Sequence, residues 1–263
     1  RRHTRFLYVS WAREMCIRDS YNTAVGYAAL LSNTTGINNT AVGYNALYQQ
    51  TTGDGNTALG VEALKENTTA DSNTAIGYLA LKLNTTGAGN VAVGTNALDA
   101  NTTGGGNHAI GYDAAGQNTT GNDNVAFGYE ALKSNTTGAS NVALGHKALR
   151  DNTVDYNTAV GRVALYQNTT GTRNTGVGAF AFQNNTTGSY NTGVGYAVLT
   201  NNTTAEYNTA IGYYAADAIT TGDQNVAIGY NALTTNTTGT RNVAIGVQAL
   251  YTNATTNYNT AVG

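Results

Sequence analysis

The sequence predicts a β-solenoid, of parallel β-helix or β-roll type, and three observations predict it. Asn-Thr-Ala-Val-Gly at residues 22–26 recurs in variant form fifteen times, out to residues 259–263. The spacing is 17 residues with one exception, and glycine and small apolar residues return at fixed phase. A period this strict means that each unit packs on its two neighbours and buries its apolar face only by stacking.

The phase runs through the first asparagine of each unit: Asn22, Asn39, Asn56, Asn73, Asn90, Asn107, Asn124, Asn141, Asn157, Asn174, Asn191, Asn208, Asn225, Asn242 and Asn259. Only the step from Asn141 to Asn157 is 16 residues, and the missing residue is expected near Asp155, in a loop that tolerates deletion. Numbering each unit from that asparagine, the consensus is N-T/V-A-V/I-G-Y-x-A-L-x-x-N-T-T-G-x-x. Fourteen complete units and a partial one make a single elongated domain over residues 21–263, expected to be truncated at its C-terminal end.

Positions two to four carry the strand signal. Position three is always small (Ala24, Ala41, Ala58, with Gly176 and Gly193) and position four always apolar (Val25, Leu59, Ile76, Phe127). Consecutive strand residues face opposite sides, so neither side reads as solvated, and both faces are expected to be buried, with Val93 in the core. The second face is then covered either by the unit's own next segment or by another chain.

That next segment, G-x-x-A-L-x-x-N, appears as residues 61–67, 129–135 and 146–152. Its residue types predict a short helical turn, two turns at most. Position nine departs from leucine at Ala115, Phe182 and Ala216. The following N-T-T-G predicts a turn whose glycine supplies a positive φ. Coils stacked at the ~4.8 Å strand spacing make a rod roughly 65 to 70 Å long.

Asparagine is invariant at position one and fails at position twelve only at Gln50 and Ile219, so both columns are expected to form amide ladders along the rod. The glycines at position five, Gly26, Gly43, Gly60 and Gly77 among them, are structural by the same logic. N-T-T also matches a glycosylation sequon at Asn33, Asn67, Asn84 and Asn101. Sugars at each coil would crowd the ladder, which favours the ladder reading.

Residues 1–20 do not obey the repeat and hold the only tryptophan, methionine and cysteine, Trp11, Met15 and Cys16. Residues 9–20, VSWAREMCIRDS, resemble a translated sequencing adapter and are set aside as an artefact. The remaining 8 basic and 13 acidic residues give a formal charge of −5, which leaves no basic stripe for nucleic acid. No apolar run reaches the ~20 residues of a membrane span.

The residues offer no catalytic, cofactor or metal site. His108 and His146 are the array's only histidines and sit at different phases. No Gly-Lys-Ser/Thr follows the glycine run at residues 104–106, and no periodic aspartate supports calcium binding. Asp54, Asp71, Asp123, Glu206 and Asp223 fall in the variable turn, where they keep the surface soluble. The alternative, a carbohydrate-cleaving fibre, would need two carboxylates about 5 to 10 Å apart in a cleft, such as Asp54 with Asp71.

The motif N-T-A-V-G or N-V-A-I-G resembles the head repeats of trimeric autotransporter adhesins. The full unit resembles repeats of bacterial and phage tail-fibre proteins that end in a self-cleaving intramolecular chaperone. The resemblance covers residues 21–263. It implies parallel β-rolls with three chains around one axis, held outside the cell on a bacterial surface or a phage virion, for attachment to a host glycan or protein.

Tyrosine fills position six at Tyr27, Tyr44, Tyr78, Tyr112, Tyr129, Tyr196, Tyr213 and Tyr230, either as a stacking ladder or as a sugar-contacting stripe. Three functions follow. The first is a noncatalytic fibre whose many equivalent contacts give avidity. The second is an ice-binding solenoid using the paired threonines at 34/35, 51/52 and 68/69, and the third is the carbohydrate-cleaving fibre.

Overall fold

The computed structural model describes residues 21–263. The set-aside segment 1–20 lies outside the described residues. Each coil contributes one strand of three residues at positions two to four, from β1 (Thr23–Val25) to β15 (Thr260–Val262). The fifteen strands form one parallel sheet in chain order, each residue paired with its equivalent one coil on, as Ala41 with Ala58. The predicted solenoid is therefore the fold.

The 16-residue coil keeps this register: β8 (Val142–Leu144) pairs with β9 (Thr158–Val160) residue for residue. The missing residue, expected near Asp155, is the second threonine, which would stand between Thr153 and Val154. Thr153 still donates its hydroxyl to Thr169 O as other position-thirteen threonines do, and Val154 offers its carbonyl where the turn glycine normally does. Asp155 and Tyr156 then resume positions sixteen and seventeen.

The core is a column inside the coil, not a layer between elements. Alanine at positions three and eight and leucine at position nine are fully buried in almost every coil, as in Ala75, Ala80 and Leu81. Packing identical side chains in register leaves each row filled by its own copies above and below.

The predicted helical turn is absent: among the described residues there is no helix. Positions seven and nine instead adopt left-handed backbone, as at Asn45 (φ 55°) and Leu47 (φ 50°), flanking alanine at position eight. Left-handed conformation costs a non-glycine residue about 1–2 kcal/mol. The reason it wins lies between coils. Asn45 N–H donates to Tyr27 O in the coil before (2.9 Å), and Leu47 N–H to Ala63 O in the coil after (3.1 Å). A helix would satisfy those groups within one segment and leave the neighbouring coils unpaired, so stacking overrides the helical propensity of Ala-Leu.

The turn glycine is also corrected. Position fifteen of N-T-T-G has no positive φ; left-handed backbone falls at position seventeen, on residues such as Asn38 and Ser72. Glycine at fifteen answers to space, since a Cβ on Gly87 would lie 2.1 Å from Gly104 O in the next coil. Position five needs glycine twice over: Gly60 has φ 145°, and a Cβ there would meet Gly77 O at 2.2 Å.

Candidate interaction surfaces

Two buried asparagine columns close the inside of each coil onto one carbonyl. Asn73 and Asn84 both donate Nδ2 to Gly87 O at 2.9 Å, from positions one and twelve of the same unit. The position-one carbonyl oxygen accepts the next asparagine's backbone N–H, as Asn73 Oδ1 from Asn90 (2.9 Å). Asn39, Asn56, Asn107, Asn124 and Asn141 repeat this geometry, and Asn22 begins it by accepting from Asn39 N–H. Position twelve runs amide to amide: Asn101 Nδ2 donates to Asn84 Oδ1 (2.8 Å) and Asn118 Nδ2 to Asn101 Oδ1 (2.8 Å). The sequon asparagines Asn33, Asn67, Asn84 and Asn101 are thus buried side chains spent on internal hydrogen bonds.

The strand's two faces differ, against the expectation that both are buried. Position three points inward. Positions two and four point out, and position four is an exposed or half-buried apolar side chain along the whole rod, including Leu59 (47% exposed), Ile110 (41%) and Phe127 (40%). Val93 sits in this outer row, half-buried, so it is no core residue; Ala92 is. The unit's own next segment does not cover the face, because its alanine and leucine turn into the coil to meet position three.

Bordering that face, the position-six tyrosines are exposed and stack where coils in sequence both carry an aromatic ring. Tyr27 stacks on Tyr44 (5.3 Å), Tyr112 on Tyr129 and Tyr129 on His146 (both 5.3 Å), and Tyr196 on Tyr213 and Tyr213 on Tyr230 (5.1 and 5.7 Å). Stacking turns ring edges and hydroxyls outward. Tyr78 stands between Val61 and Thr95 with no aromatic neighbour in its column.

A second aromatic column at position seventeen escaped the sequence reading. Arg173 lies 5.4 Å from both the Tyr156 and Tyr190 ring centroids, and Tyr190 stacks on Tyr207 at 5.1 Å. Arg241 continues it against Tyr258. Tyrosine at the unit's last position, 156, 190, 207 and 258, was the available signal, hidden because the N-terminal coils place Gly, Ser, Asn or Asp there.

The turn acids do more than solubilise. Asp71 Oδ1 accepts Asp54 N–H (2.8 Å), Asp54 Oδ1 accepts Ile37 N–H (2.7 Å), and Asp223 Oδ1 accepts Glu206 N–H (2.7 Å). Each carboxylate ties one coil's turn to the coil before. The first threonine of each pair is similarly engaged, as Thr34 Oγ1 donating to Thr51 O (2.9 Å).

On the face carrying positions seven and ten, charges pair within and across coils. Lys82 meets Glu62 (3.1 Å), and Lys133 bridges Asp113 (2.8 Å) and Glu130 (3.0 Å). The hydrogen bond from Lys82 holds the Glu62 carboxyl below its usual range. Among the described residues, no three His, Cys, Asp or Glu side chains converge as a metal site would need, and no helix is long and apolar enough to cross a membrane.

No protein-family model matches the chain, and comparison with curated proteins gives no match.

Proposed function

We propose that this rod is a noncatalytic segment of an extracellular attachment fibre, on a bacterial surface or a phage virion, in which three copies pack through the outward sheet face. One observation carries the reading: the apolar row at position four runs unbroken through fifteen strands, beside a position-two row of threonine and valine interrupted only by His108. Soluble monomers rarely expose large contiguous apolar patches, and the exposed or half-buried position-four side chains continue from coil to coil along the rod. Packing three such strips around one axis removes them from water and leaves the tyrosine columns and variable turns on the outside. There, many weak contacts to a host glycan or protein add up by multivalency.

Light scattering coupled to size-exclusion chromatography on residues 21–263 is the test. Three chain masses are expected. Val93→Asp, which places a charge in the outer row, is expected to return one chain mass with the β-sheet circular dichroism retained. A parent chain of single mass would overturn the trimer, and a V93D variant that stays trimeric would overturn this face as the interface.

A further inference from the structure

We propose that the open-sided notch over Ala197 binds a small organic cation of the quaternary-ammonium class. Three aromatic rings and one carboxylate build it. Phe180 and Tyr214 occupy position seven in the coils before and after, while Ala197 at the same position leaves a gap between them. The resulting cavity of about 290 Å³ is lined by Phe180, Tyr196, Ala197 and Tyr214 together with Gln183, Thr200, Asn201 and Asp217.

The rings are held at near-right angles. Tyr196 meets Phe180 at 74° and 5.5 Å, and Tyr214 at 84° and 5.8 Å, and all three residues border the notch. Aromatic surfaces attract cations through the ring quadrupole, and aromatic walls with a nearby acid are a recurring way to hold alkylated ammonium groups. The guanidinium of Arg162 already sits 5.3 Å from the Phe180 centroid, which shows the attraction at this ring, but Arg162 is not part of the cavity lining.

The carboxylate distinguishes a cation from a neutral guest. On this face Glu62, Asp113 and Glu130 are each paired with a lysine. Asp217 is in no ion pair among the described residues, and its Oδ1 is buried without a hydrogen-bond partner. Burial pushes its carboxyl above the ordinary range, with no basic neighbour acting against it. With no cation paired to it, the Asp217 carboxylate leaves negative charge beside the notch that a bound quaternary ammonium would offset through space. No basic residue lines the notch to compete.

The notch is built chiefly from positions seven and ten, with Tyr196 from six and Asn201 from eleven, and includes no residue of the outward rows at two and four. The proposal therefore does not rest on trimer formation. Saturation-transfer NMR with tetramethylammonium chloride, on residues 21–263 in the assembly they form at low ionic strength, tests it. Saturable transfer with a Kd on the order of millimolar is expected. Asp217→Asn should weaken it about tenfold, and Ala197→Phe should abolish it. The latter fills the gap at a left-handed position that Phe180 and Tyr214 already adopt in neighbouring coils, so the coil should remain folded. No saturable transfer, or transfer unchanged in both variants, would overturn the site. Transfer from methyl glucoside but not from tetramethylammonium would assign it to saccharide instead and overturn the cation.

Discussion

Two coils depart from asparagine at position twelve, and they fare differently. Gln50 keeps the ladder: its Nε2 donates to Gly53 O (2.6 Å) and its Oε1 accepts from Asn67 (2.9 Å) and Asn56 (3.2 Å). Only Asn33 Oδ1, below it, loses a partner. Ile219 breaks the ladder on both sides, leaving Asn202 Oδ1 without its donor and Asn236 Nδ2 without its acceptor. The same coil has Ala216 where leucine belongs, so apolar volume lost at position nine returns at position twelve, and both residues are buried. An amide column therefore tolerates a longer amide and is severed by an apolar side chain of similar size, even one that fills space left vacant nearby.

The largest break to that comparison is Asn101→Leu, which makes an Ile219-like gap in a coil whose position nine is already filled by Leu98. It removes the donor to Asn84 Oδ1 and to Gly104 O, and should cost about 2–3 kcal/mol. Faster amide exchange confined to the flanking coils is the readout, since a repeat array need not unfold in two states.

A second compensation tests whether size pairs generally govern departures. Phe182 replaces leucine at position nine, and the strand residues facing it, Gly176 in β10 (Thr175–Val177) and Gly193 in β11 (Thr192–Val194), lack the usual alanine methyl. A Cβ on Gly193 would lie 2.5 Å from the Phe182 ring. Gly193→Ala should cost about 2 kcal/mol alone and much less alongside Phe182→Leu, measured as a double-mutant cycle in denaturant.

Restoring the consensus at the broken coil sharpens the comparison from the other side. Ala216→Leu with Ile219→Asn should gain about 1–2 kcal/mol, because a donor and an acceptor return to Asn202 and Asn236 while the core stays filled. Ile219→Asn alone should gain less, since it empties the space beside Ala216. Smallest is Gln50→Asn, which should gain less than about 1 kcal/mol by offering Asn33 Oδ1 a donor. A gain from Q50N as large as that of the double variant would mean that ladder continuity is not what separates the two coils.

Much of the fold was legible because repetition simplifies the problem. Asn22 through Asn259 mark the coils, alanine and leucine at fixed phase mark the inside, and like charges are scarce where identical residues stack. That the short coil lacks position fourteen in particular, and that Val93 is no core residue, were not legible. Both depend on which way a backbone points once coils are stacked. The notch over Ala197 was hidden for a related reason, since its walls are Phe180, Tyr196, Tyr214 and Asp217 from three successive coils, each unremarkable in its own unit.

The sequence by itself determined the period, the single strand per coil, the parallel register and the asparagine columns, because a 17-residue repeat with invariant Asn and Gly can bury those groups only against its own copies. The tertiary structure decided that Ala-Leu forms no helix and that positions seven and nine turn left-handed. It also decided that positions two and four face outward as one open apolar strip. In each case the deciding forces are hydrogen bonds and contacts between coils, which no local propensity contains.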